Sequence, residues 1–241
     1  MSLLELENVV KHYRGAGETV RAIDGVSLTA HEGEMLALHG PSGSGKTTLL
    51  LLISALLAPD GGAIRYHGRE VHSLSEAQAS EYLRREIGFV HQSLQLMPHV
   101  SALENATVKL LLDGVPPRKA RALAAPYLQR LGLGERAHHT PEQLSGGERR
   151  RVAIARALVG EPKLILADEP TGELDSRRSI ETVALLRDLA HEQGACVLLV
   201  THDNDAAALA DRHYTLRDGR LFDDDPYGGA GRPDHSLADV S

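Results

Sequence analysis

The sequence predicts an α/β fold: a core with a largely parallel sheet, an antiparallel β subdomain, and an inserted helical subdomain. Three observations lead there. Short aliphatic runs, "MLALH", "LILAD" and "CVLLV", have the length and composition of fully buried strands and alternate with helical stretches. The segments "LLELENVVKHY" and "SLTAHEGEMLALHG" read as strands with turn residues between them. From about Ser93 to Thr140 the strand character gives way to helical periodicity. Alternating strands and helices place ligands at the carboxyl ends of the parallel strands.

In chain order, His31, Glu32 and Gly33 form a turn before the buried strand Met35–His39, which feeds a glycine-rich loop. Lys46 to Leu57 reads as a helix, stopped by Pro59, Asp60, Gly61 and Gly62. "AIRYHGREV" reads as a hairpin strand about Gly68, "SLSEAQASEYLRREI" as a helix that serine can cap, and "GFVHQ" as a return to strand. "PHVSALENATVKLLLDGV" and "PPRKARALAAPYLQRLGL" are helical, the second with Pro at its start and Gly at its end. A basic helix over 145–159, the strand "PKLILAD", a helix from Ser176 to Gln193 and the strand "CVLLVTHD" follow. A short helix through Asp211 and a strand pair near "HYTLRDGRL" complete the core. Residues 1–221 form one domain, with its core in about 1–92 and 141–221 and the helical subdomain in about 93–140. Residues 222–241, with Asp223, Asp224, Asp225 and several Gly and Pro, are expected to be a flexible tail.

Composition narrows the function. With 26 Lys+Arg against 33 Asp+Glu, the net charge is −7, giving no basic excess for general nucleic-acid binding. Cys196 is the only cysteine, which excludes an internal disulfide framework and a multi-cysteine metal cluster. The N-terminus lacks the apolar run of a signal peptide. The longest aliphatic run, "LLLLISALL", falls far short of the roughly 20 residues that span a bilayer. The expectation is a soluble intracellular protein that is not itself a channel.

"GPSGSGKTT" carries chemistry. Gly40, Pro41, Ser42, Gly43, Ser44, Gly45, Lys46, Thr47 and Thr48 follow a predicted strand and open a helix, as a phosphate-binding loop does. Glycines let successive amides turn around a phosphate, and the helix start adds a positive dipole end. Lys46 neutralises β/γ-phosphates and the Thr47 hydroxyl ligates Mg²⁺. "LILADEP" ends an apolar strand in two carboxylates: Asp168 to hold Mg²⁺ and Glu169 to polarise an attacking water. The core is then that of a P-loop NTPase, hydrolysing ATP or GTP. A second run, "LSGGERRRVAIARAL", places Ser145, Gly146 and Gly147 at the head of a helix, an anion site with no phosphate of its own.

On these motifs, in this order over about residues 3 to 221, the chain resembles the ATP-binding subunits of ABC transporters. The resemblance implies a head-to-tail homodimer holding two ATP molecules. In it, Ser145, Gly146, Gly147 and Glu148 of one copy cap the γ-phosphate in the other. It also implies roles for single residues. Tyr13 stacks on adenine, Gln92 senses Mg²⁺ and the attacking water and couples to the membrane subunit, and Asp175 lies in the loop crossing the dimer interface. His202 contacts the γ-phosphate and holds the water geometry of Glu169. Three positions depart from the common pattern: Glu148 in place of Gln, His91 in place of an aromatic residue, and Glu173 in place of Asn or Ala. None removes a catalytic group.

The segments "YRGAGETVRAIDGVSL" and "EIGFVHQSLQLMPHVSALENA" are similar to the branch of macrolide exporters, lipoprotein-release ATPases and antimicrobial-peptide resistance pumps (MacB/LolD-like). That resemblance implies separately encoded integral membrane permease subunits as partners. It places the chain in the cytoplasm, peripheral on the inner face of the cell membrane, touching it only through the permease. Leu94, Leu96, Met97 and Val100, in the segment from Ser93 to Asn105, could grip the permease or equally serve as subdomain core. A non-transport signalling ATPase of the cell-division type has the same motifs. A nucleic-acid-handling ABC ATPase fits less well, since the chain has one cassette and no cysteine zinc set. A P-loop kinase is opposed by the second Ser-Gly-Gly and His202.

Overall fold

The computed structural model describes residues 2–14, 19–172 and 176–223. The strands are β1 (Ser2–Arg14), β2 (Thr19–His31), β3 (Met35–His39), β4 (Gly61–Tyr66), β5 (Arg69–Glu70) and β6 (Ile87–Val90). They continue as β7 (Leu164–Asp168), β8 (Cys196–Val200), β9 (Arg212–Arg217) and β10 (Arg220–Asp223). The helices are α1 (Lys46–Ile53), α2 (Glu76–Arg85), α3 (Ala102–Leu112) and α4 (Pro117–Arg130), then α5 (Gly146–Leu158), α6 (Ser176–Glu192) and α7 (Asn204–Ala207).

Two sheets result. The antiparallel one runs β2-β1-β4-β5, and the other runs β10-β9-β3-β8-β7-β6 with every pair parallel except β10 with β9. Strands β7 and β8 are buried throughout, as their unbroken aliphatic composition requires. Their alternate residues feed two separate cores. Ile165, Ala167, Val197 and Leu199 pack with α3, α4, α5 and α6, while Leu164, Leu166, Cys196 and Leu198 pack with α1, β1 and β2. The parallel sheet is therefore a wall between the helical layer and the antiparallel layer.

Local sequence explains most boundaries. Ser75 caps α2 in a capping box with Gln78, Ser101 caps α3, and Pro117 opens α4. The helix expected to run from Lys46 to Leu57 ends instead at Ile53. Ala55 takes φ +59, and the amides of Leu56 and Leu57 turn back onto the Leu51 carbonyl, closing the helix as a left-handed C-terminal residue does. Leu56 is left on the surface, 52% exposed. Gly61 and Gly62, expected as a stop signal, already belong to β4. At the other end β10 takes in Phe222 and Asp223, two residues assigned to the tail from sequence; residues 224–241 lie outside the described residues.

Candidate functional site

Four strands of the parallel sheet end at one place. β3 runs into the glycine loop, β7 ends in Asp168, β8 leads to His202 and β6 to Gln92. Between them is a cleft of about 420 Å³ whose lining includes Tyr13, Ser42, Gly43, Gly45, Lys46, Thr47, Thr48, Gln92, Asp168 and Glu169. The carboxyl ends of neighbouring parallel strands are where such folds hold ligands.

The loop is built by close backbone approach. Gly45, the N-cap of α1, sits at φ +105, and a Cβ there would stand 2.0 Å from the Ala22 carbonyl oxygen of β2. Only glycine combines that dihedral with that contact. No side chain caps α1, so its first amides remain turned toward the cleft. Lys46 folds over the loop, its Nζ donating to the carbonyls of Gly40 (2.7 Å) and Pro41 (2.9 Å). Ser44 Oγ is buried with no hydrogen-bond partner among the described residues.

The Thr47 hydroxyl donates to Asp168 Oδ2 at 2.9 Å. Burial pushes the Asp168 carboxyl up, with the Thr47 hydrogen bond opposing and the Glu169 charge adding to the shift. A hydroxyl and a carboxylate set this close are hard oxygen donors of the kind that hold Mg²⁺ beside a phosphate. Next along the chain, Glu169 adopts φ +49, and its amide donates to the Val200 carbonyl at 2.9 Å. Its Oε2 lies 2.8 Å from His202 Nδ1, so a protonated Nδ1 donates to the carboxylate. The His202 side chain is 75% exposed while that of Glu169 is enclosed at 13%, so His202 stands at the cleft mouth and Glu169 within it.

The second Ser-Gly-Gly lies elsewhere. Ser145 caps α5 in a capping box: its Oγ accepts from the Glu148 amide and the Glu148 carboxylate accepts from the Ser145 amide at 2.7 Å. That backbone hydrogen bond holds the Glu148 carboxyl below its ordinary value. Gly146 lines a separate cavity of about 470 Å³ with Leu94, Leu96 and Arg150, and Gln92 lines both this cavity and the cleft. The structure thus gathers Tyr13, the glycine loop, Gln92, Asp168 and Glu169 around one cleft, with His202 against Glu169, and keeps Ser145–Glu148 at another surface. Asp175 and Glu173 lie outside the described residues. Of the loop residues after Gln92, Leu96 packs against the helical core while Met97 is 40% exposed.

Two arginines of α5 were not singled out from sequence. Arg150 is buried and donates to the Glu169 carbonyl at 3.1 Å. Arg156 donates to the carbonyls of Leu94 (2.7 Å) and Gln95 (2.9 Å), holding the loop that follows Gln92. Helical periodicity was the available signal, since 150, 154 and 158 share the apolar face of α5.

Known proteins match along nearly the whole described chain. The family described as ABC transporter matches residues 23–172. The chain is 43% identical over 220 residues to the lipoprotein-releasing system ATP-binding protein LolD of Shewanella frigidimarina, covering 91% of this chain and 92% of that one. It is 45% identical over 223 residues to the macrolide export ATP-binding/permease protein MacB of Hyphomonas neptunium, spanning 92% of this chain but 34% of that relative. Among solved structures it is similar to the ATP-binding cassette MJ0796, in a dimeric post-hydrolysis state bound to ADP and Pi. That match has 38% identity and a TM-score of 0.84, covering 90% of this chain and 96% of that one. The strand-end cleft and these likenesses together establish that the chain belongs to the ABC transporter family, as an ATP-hydrolysing cassette of the LolD/MacB-like branch.

Proposed function

We propose that the chain powers a membrane transport or mechanotransmission complex by closing head to tail with a second copy of itself around two ATP molecules. What carries this reading is the separation of two phosphate-type sites on one chain: a complete cleft at the strand ends, and the α5 head, which stands apart from that cleft. In the closed dimer, Ser145, Gly146, Gly147 and Glu148 of one copy face the nucleotide of the other, and Asp175 lies at the crossing between copies. The dimeric MJ0796 cassette with ADP and Pi supports this arrangement.

Within each cleft, Lys46 leaves the Gly40 and Pro41 carbonyls to neutralise the β/γ-phosphates, and the α1 amides receive the phosphate oxygens. Thr47 and Asp168 would hold Mg²⁺, which would offset phosphate charge. Glu169 orients or deprotonates the attacking water, and His202 holds that carboxylate while contacting the γ-phosphate. Tyr13, 43% exposed at the cleft edge, supplies the adenine platform. Gln92, lining both cavities, relays nucleotide state toward the permease-facing side.

The partners in this reading are separately encoded integral membrane permease subunits; the LolD relative is named as the ATP-binding protein of a releasing system, whereas the MacB relative is named as ATP-binding and permease protein in one chain, of which this chain spans 34%. Among the described residues no helix is long and apolar enough to cross a membrane. The chain then sits on the inner face of the cell membrane, attached through the permease. The experiment is light scattering of purified Glu169→Gln with and without ATP-Mg²⁺. An ATP-dependent shift from monomer to dimer is expected. A monomer at saturating ATP-Mg²⁺, alone and with its permease, overturns the shared-site reading.

A further inference from the structure

We propose that Arg150 is a positioning residue for hydrolysis, fixing the backbone of Glu169 from the adjacent helix α5. The inference rests on the reading of Glu169 as the residue that orients the attacking water. Three consecutive arginines, Arg149, Arg150 and Arg151, follow the Ser-Gly-Gly, yet only the middle one is buried, at 7% exposure. Its Nη1 donates to the Glu169 carbonyl at 3.1 Å, and the same oxygen accepts from the Gly172 amide at 3.2 Å. The Glu169 amide in turn donates to Val200 of β8. The residue is therefore pinned on both sides, by the sheet through its N–H and by α5 through its C=O.

Glu169 requires such pinning. Its φ of +49 is a left-handed conformation that a non-glycine residue keeps only where its surroundings over-determine it. Loss of the guanidinium leaves the carbonyl held by the Gly172 amide alone, so the peptide can tilt and carry the carboxylate from its place beside His202. A displacement of about 1 Å at a reacting group can cost on the order of a hundredfold in rate. Gly172 serves the same contact: a Cβ there would stand 3.0 Å from Arg150 Nη2, so the absence of a side chain leaves room for the guanidinium. Because Arg150 belongs to the helix headed by Ser145, the setting of Glu169 depends on where α5 lies.

The test uses the full chain with steady-state ATP turnover and fluorescent-ATP affinity for Arg150→Met, Arg150→Lys and Gly172→Ala. Gly172→Ala keeps the arginine but displaces it, so it stands as a second probe if Arg150→Met folds poorly. Arg150→Met and Gly172→Ala should each lower kcat about tenfold or more, with ATP affinity within about twofold of wild type. Arg150→Lys, which keeps a single donor, should recover at least about a third of the rate. Turnover within twofold of wild type in folded Arg150→Met, or in Gly172→Ala where Arg150→Met does not fold, overturns the inference, as does a loss of ATP affinity in step with kcat. Glu169→Gln, assayed alongside, separates the two readings. Wild-type turnover in Glu169→Gln defeats the role of Glu169, whereas a dead Glu169→Gln beside an active Arg150→Met defeats only the role of Arg150.

Discussion

Replacing Lys109 by Met should make the protein more stable at neutral pH and less stable at high pH. Lys109 lies on α3 with its side chain mostly enclosed, and its Nζ donates to the Ile87 carbonyl of β6 at 2.9 Å. Burial lowers its pKa from the ordinary 10.5 to about 8, against the opposing attraction of Asp113 and Glu86. At neutral pH both folded and unfolded chains carry the proton, so the folded state bears a desolvated ammonium. As pH rises through 8, the folded protein loses that proton first, and its stability climbs until the unfolded chain also deprotonates near 10.5. At about 1.4 kcal/mol per pH unit the climb is about 3 kcal/mol. Met fills a similar volume and forfeits one hydrogen bond, worth about 1 kcal/mol. The wild type should therefore be about 2 kcal/mol less stable than Lys109→Met at pH 7 and about 1 kcal/mol more stable at pH 10.5. Urea unfolding of both proteins at half-unit pH steps measures the difference, and subtraction removes every titration they share. A difference that stays flat across this range refutes the argument.

Two other changes probe the site. Gly45→Ala places a Cβ 2.0 Å from the Ala22 carbonyl at a φ that alanine resists, so the loop must shift. A drop of at least about 3 kcal/mol in stability, with loss of ATP-dependent stabilisation, should appear in thermal melts with and without ATP. Ser145→Ala removes the cap of α5 and should cost about 1 kcal/mol in urea unfolding. Single-chain ATP affinity should remain while ATP-dependent dimerisation weakens; equal loss of both would mean that Ser145 serves its own chain's nucleotide.

The parts legible in the sequence are those whose chemistry is local. The glycine loop, the aliphatic strand ending in Asp168 and Glu169, and the serine at the head of α2 announce themselves through composition and short spacing. The contact between Thr47 and Asp168 spans 121 positions, yet the pairing of motifs made it readable. What was not legible depends on which way a side chain turns. The run Arg149-Arg150-Arg151 looks like a solvated basic face; its spacing to Ile154 and Leu158 hints that the middle member turns inward, and the packing of α5 shows it buried. The early end of α1 was hidden because Ala55 adopts a dihedral usually left to glycine, in the midst of an aliphatic run. Likewise the loop after Gln92 carries no signal that Arg156 holds it, since main-chain carbonyls have no sequence signature.

The parallel sheet separates two hydrophobic cores that share its strands but not its faces. Tyr13 belongs to the antiparallel layer on one side, and the α5 head belongs to the helical layer on the other. Side-chain packing alone gives these layers little direct purchase on each other across a buried aliphatic wall. The cleft forms where the wall stops, at the strand tips, and Gln92 and Glu169 stand there with the glycine loop. On the proposed reading, a nucleotide seated at those tips meets Tyr13 of the antiparallel layer while its γ-phosphate faces the α5 head of the second copy, so it joins layers of two different chains. Removal of that phosphate by hydrolysis would then free the helical layer of one copy from the antiparallel layer of the other, leaving the aliphatic wall within each chain intact.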